Sequence, residues 1–171
     1  MTKRKGKIVG QYVYHLRDLI EAPAWRVLSL SARRLLDRVE IEYLRHGGQD
    51  NGKLPVTFED FEEHGIDRHA IAPAMRECCA LGVLVITQHG SAGNAEHHAP
   101  NLFLLPYLLD NTSDQKWRQI ETIEEAKAIA KEAARRPGKN KIPVGISPKL
   151  QWGKPTLKAV VSVGETHTGN R

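Results

Sequence analysis

Between Thr57 and Tyr107 the chain sets out its start and stop signals in one fixed order, and that order limits the fold more than any single residue does. Thr57-Phe58-Glu59-Asp60 places a hydroxyl before a short apolar-periodic run, Phe58 and Phe61, with a carboxylate three residues on, as in an Asp variant of the capping box. This predicts a helix start at Thr57. Gly65 ends that helix, because glycine enters the left-handed cap without a Cβ penalty, and Ile66-Asp67 restarts the chain as apolar residue plus N-cap. A second helix is predicted from Arg68 to about Leu81, stopped by Gly82. Ile66 and Ile71 take the two positions of a hydrophobic staple, which fixes the angle between the helices. Val83 to Thr87 is then a β-branched run, Gln88 to Pro100 a polar loop, and Asn101 to Leu105 a return strand. The nearly continuous apolar runs predict a hairpin covered on both faces, and Pro106 predicts an edge position for its second strand.

Helix, turn, helix and hairpin in uninterrupted order is what a winged helix-turn-helix needs. The second helix turns Ile71, Ala74, Met75, Cys78 and Leu81 to one side and Arg68, His69, Ala72, Pro73 and Arg76 to the other. The exposed side of such a helix enters the major groove, where arginine bonds guanine O6 and N7 with two prongs. Arg68, His69 and Arg76 are therefore the candidates for base or phosphate contact. Pro73 leaves two versions open, a kink within the helix or a later start near Ala72. In the wing loop, His89, His97 and His98 are candidate DNA contacts; with no carboxylate or cysteine at ligand spacing, no metal is expected.

Upstream, Ser31-Ala32-Arg33-Arg34 opens a helix with Leu35, Leu36, Val39 and Tyr43 as its stripe, ending at Gly47-Gly48. A shorter helical piece from Tyr14 to Glu21 precedes Pro23, with Trp25 and Leu28 as anchors, and Leu54-Pro55-Val56 is a short strand that pairs with the hairpin. Downstream, Thr122-Ile123-Glu124-Glu125 starts an Ala-rich helix that runs to about Arg136 and serves either as a homodimer contact or as an exposed spacer. The expected fold is α+β, mainly α: a winged helix-turn-helix with a small antiparallel sheet, an extra C-terminal helix and a disordered tail. Its parts are a basic arm at 1–9, the domain at 10–110, a linker and helix at 111–137 and a basic tail at 138–171.

The net charge of +5 is unevenly placed. Residues 1–7 hold four Lys or Arg and no acid, residues 8–111 nine basic and fourteen acidic groups, and residues 112–171 twelve and six. The body is acidic and the ends basic, so Lys3, Arg4, Lys5 and Lys7 are expected to supply phosphate attraction together with the tail. No stretch of eighteen apolar residues exists, and the first residues lack the apolar core of a secretory signal. A cytoplasmic protein with no membrane contact is expected. Adjacent Cys78 and Cys79 suit neither a disulfide nor a zinc knuckle, and Cys78 reads as a core residue. No local motif assembles a catalytic triad, a phosphate-cradling glycine loop or a metal triad, so neither enzymatic activity nor a cofactor is expected.

Ala24-Trp25-Arg26, Leu44-Arg45-His46-Gly47-Gly48, Asn51 through Thr57, Ile71-Ala72-Pro73-Ala74 and Ala80-Leu81-Gly82 together resemble a family of small alphaproteobacterial winged helix-turn-helix proteins. These are similar to the winged-helix domains of plasmid replication initiators, and the resemblance covers residues 10 to 136. It implies double-stranded DNA as partner, in transcription regulation or as an accessory factor of a mobile element. A replication-initiation module and a protein-interaction adapter are the alternatives.

Overall fold

The structure, a computed structural model, describes residues 10–90, 99–109 and 115–135. In chain order these form α1 (Arg17–Glu21), α2 (Pro23–Arg26), α3 (Leu30–Arg45), β1 (Leu54–Val56), α4 (Phe58–Glu63), α5 (Arg68–Ala80), β2 (Val85–Gln88), β3 (Asn101–Leu104) and α6 (Ile123–Ala134). Short 3-10 turns at Pro106–Leu108 and Lys116–Gln119 join β3 to α6. The fold is α+β and mainly helical, with a three-stranded antiparallel sheet in the order β1-β3-β2.

Local chemistry fixes the central elements. The Thr57 hydroxyl accepts the Asp60 N–H at 3.1 Å while the Asp60 carboxylate accepts the Thr57 N–H at 2.8 Å, so both halves of the capping box form. Gly65 takes φ +84°, which lets the Ile66 N–H return to the Phe61 carbonyl. Asp67 caps α5 by accepting the His69 N–H at 2.8 Å, and Ile66 and Ile71 are both buried.

Four expectations change. Ser29, not Ser31, caps α3: its hydroxyl accepts the Ala32 N–H at 3.2 Å, and a distant carboxylate, Glu77, holds it by accepting both its N–H and its O–H at 2.7 Å. The first helical piece starts only at Arg17, and Pro23 opens α2 as its first residue. β3 is the middle strand, so Pro106 ends it rather than marking an edge; the edge proline is Pro55 in β1. β2 is not covered on both faces, since Val85, Thr87 and Gln88 are exposed and the burial falls to Val83 and Leu84 just before it. A bulge at Thr87, between the Ile86 and Gln88 pairings, breaks the alternation.

The segment after the sheet belongs to the core. Trp117 and Ile120 are buried, and α6 packs on α5 and α2 with Ala126 fully enclosed, so it is docked on the body rather than an exposed spacer. Gly82 makes this possible. At φ +76°, a Cβ there would stand 2.6 Å from the Lys116 Cβ and 2.9 Å from the Trp117 backbone nitrogen. Among the described residues no helix is long and apolar enough to cross a membrane.

At the N-terminal side, His15 Nε2 lies 2.7 Å from Glu40 Oε1, and the Tyr107 hydroxyl donates to the same oxygen at 2.5 Å. The rings of His15, Trp25 and Tyr107 meet edge to face at 5.0 to 5.6 Å. The hydrogen bond to Glu40 raises the His15 pKa above its ordinary 6.5, against the opposing pull of burial and with help from the charges of Glu40 and Asp37. A raised histidine pKa adds stability that is fully present below 6.5 and is lost as the pH climbs through the raised value. Thermal melting of the wild type should therefore show a loss of stability on the alkaline side of 6.5 that His15→Ala lacks. Identical profiles would exclude His15 as the source.

Candidate nucleic-acid interface

α5 is one-sided as its sequence requires. Ile71, Ala74, Met75, Cys78 and Leu81 are buried against the body, and Glu77 joins them because Ser29 satisfies its carboxylate. The helix starts at Arg68, so Pro73 lies inside it and the later start is excluded. Burial pushes the Cys78 thiol well above its ordinary value and Cys79 to about 11, and both cysteines are free.

On the outward side exposure declines along the helix. Arg68 and His69 are exposed, whereas Ala72, Pro73 and Arg76 are half-buried. Arg68 donates to Glu62 of α4 at 2.5 Å, with its side chain still 66% exposed. An ion pair this wet contributes little to folding and is exchangeable for another anion. Arg76 has a different task from the expected base or phosphate contact. Its Nε donates to the Ala133 carbonyl at 3.0 Å and a terminal nitrogen donates to that of Ala134 at 3.2 Å. Those carbonyls end α6, where no helical N–H remains to meet them and the helix dipole favours a cation.

His89 is exposed just after β2. Lys3, Arg4, Lys5, Lys7, His97 and His98 lie outside the described residues. Two side chains that the sequence did not single out shape this region. Arg34 of α3 is exposed and donates to the Gly65 carbonyl at 3.0 Å, tying α3 to the turn between α4 and α5 and adding a cation there. Arg38 is buried between Glu42, at 2.8 Å, and Asp60, at 2.7 Å. Burial raises the Asp60 pKa, but the Thr57 and Arg38 hydrogen bonds outweigh it and leave the carboxyl below its ordinary 3.8. Among the described residues no group of His, Cys, Asp or Glu is arranged to hold a metal ion.

The arrangement offers an exposed helix start with Arg68 and His69, a cation at the adjoining turn and a partly exposed hairpin. The chain matches no protein-family model, no curated protein and no solved structure.

Arg76→Ala should cost about 1 to 3 kcal/mol, the range for losing hydrogen bonds from a charged donor. Mass-spectrometric amide exchange should show α6 opening faster while α3 stays protected. Unchanged exchange in α6 would show that Arg76 does not hold it.

Proposed function

We propose that this protein reads duplex DNA through a winged helix-turn-helix, as a transcriptional regulator or an accessory factor of a mobile element. The reading rests on α4 and α5 meeting across the Gly65 turn with the start of α5 outward, beside a hairpin whose second strand returns to β1. Modules with that order lay the second helix in a major groove and the hairpin along the neighbouring backbone. Arg68 and His69 then meet base edges, Arg34 meets a phosphate near the turn, and His89 follows the hairpin. Affinity comes from the basic ends, since the body carries more acid than base.

The resemblance to small alphaproteobacterial winged helix-turn-helix proteins supports this reading, and a replication-initiation role would differ only in the target site. One observation favours a second reading, a protein-interaction adapter. Both arginines of α5 already have partners, Glu62 for Arg68 and the end of α6 for Arg76.

Fragments selected from a genomic pool supply the duplex for the test. Arg68→Ala should lose about 1 to 3 kcal/mol of discrimination between the selected and a random duplex. If it binds every duplex as the wild type does, the adapter reading stands instead.

Removing residues 1–7 and 138–171 should flatten the dependence of log K on log salt by several units, at about 0.9 for each lost phosphate contact. An unchanged slope excludes both ends as contributors.

A further inference from the structure

We infer that the segment Gly10–Tyr14 and the end of α3 form a stacking site for unpaired bases, so that single-stranded nucleic acid binds at a surface separate from α5. Along this segment exposure alternates: Tyr12 and Tyr14 face solvent at 62% and 57%, while Val13 and His15 turn inward. That is the two-residue period of an extended chain. His15 is held by Glu40 and by the edges of Trp25 and Tyr107, which fixes the register of the two tyrosines rather than leaving them on a loose end.

Both tyrosines line a cleft of about 250 Å³ with Tyr43, Leu44, Gly48 and Leu108. Tyr43 is half-buried and packs against the core, so the floor of the cleft is anchored. Gly48, at φ +75°, lies against the Tyr43 ring end, where a Cβ would stand 3.6 Å from the hydroxyl oxygen in ordinary contact. Among the described residues no aromatic ring packs on any of the three phenols, and Tyr12 and Tyr14 are open to solvent.

Three phenols around one open cleft suit a flat ring, and the sequence that precedes Gly10 says which kind. The residues leading into Gly10 include Lys3, Arg4, Lys5 and Lys7 with no acid among them. Flat rings strung on a regular polyanion are the bases of a nucleic acid. Paired bases bury their faces in the duplex stack, so the cleft takes unpaired ones, and stacking makes the site tolerant of sequence. It uses none of the residues through which α5 would read a duplex, so either proposal can fail while the other survives.

The test uses the full chain and fluorescence anisotropy with labelled oligo(dT), oligo(U) and a random duplex. Tyr12→Ala combined with Tyr14→Ala should weaken single-strand binding about tenfold or more, while duplex binding stays within about twofold. Tyr→Phe at both positions should bind as the wild type does, because stacking needs the ring and not the hydroxyl. In Tyr14→Trp, added oligo(dT) should quench the new indole emission. Binding of either single strand supports the site. Failure of the wild type to bind both, undiminished binding by the double alanine variant, or an unquenched indole overturns it. Arg68→Ala should leave single-strand binding unchanged, which separates this site from the α5 surface.

Discussion

The approach of the chain to Gly82 decides where the second half of the molecule can go. Only a residue without a side chain lets the Lys116–Trp117 turn come this close, and that approach carries Trp117 and Ile120 into the core. Burying two such side chains contributes roughly 1.5 to 3 kcal/mol each, enough to pin a segment that its polar neighbours would otherwise leave in water. From there α6 can only run back over α5 and α2. The docked helix brings its unsatisfied end carbonyls to Arg76, and Arg76 leaves the outward side of α5 to satisfy them. One glycine thus sets how much of α5 remains available to a partner.

Charge is distributed by the same logic. Arg38 is spent inside between Glu42 and Asp60, Arg33 on the Trp25 carbonyl at 2.8 Å, Arg34 on the Gly65 carbonyl and Arg76 on α6. Arg33 ties α3 to the neighbouring α2, while Arg38, Arg34 and Arg76 join elements that lie far apart in sequence, which is why an acidic body still needs them. Under the proposed reading, the body then contributes geometry and discrimination while the ends contribute attraction. Arg68 suits that division because its pair with Glu62 is wet and can be traded for a base edge at small cost.

Whatever depended on neighbours within a few residues was legible in the sequence. The Thr57–Asp60 box, the Gly65 stop, the Asp67 cap, the Ile66 and Ile71 pair and the buried face of α5 are all set by local spacing, and all form as expected. Features set by distant partners were not legible. Nothing near Glu77 in the sequence marks it as a partner for Ser29, 48 residues away, which supplies it two donors and opens α3 earlier than Ser31. The order of the strands put β3 in the middle, which no property of β3 alone specifies. A signal for α6 did exist, since Trp117 and Ile120 stand three apart in a stretch otherwise polar, but it needed Gly82 to give it a place to land. Of the candidate site, Arg68 and His69 are exposed as their spacing implied, whereas the engagement of Arg76 follows from tertiary packing alone.

The two ends of the described chain lie against different elements, Gly10 in the cleft with Tyr43 and Leu108 and the end of α6 on Arg76 of α5. Because Arg76 holds the carbonyls of Ala133 and Ala134, the last turn of α6 is fixed beside α5. Residues 136–171 carry seven Lys or Arg and one Glu, so that net charge is tethered next to the helix proposed to enter the groove. Tethering turns its encounter with a nearby phosphate into an intramolecular step, with an effective concentration set by the length of the connection. The N-terminal cations are tethered instead to the cleft of Tyr12, Tyr14 and Tyr43. A uniform basic coat would attract any polyanion everywhere. Under the two proposed readings, basic segments joined to the chain at both ends would favour a strand already held by the neighbouring site, while the acidic body discourages binding elsewhere.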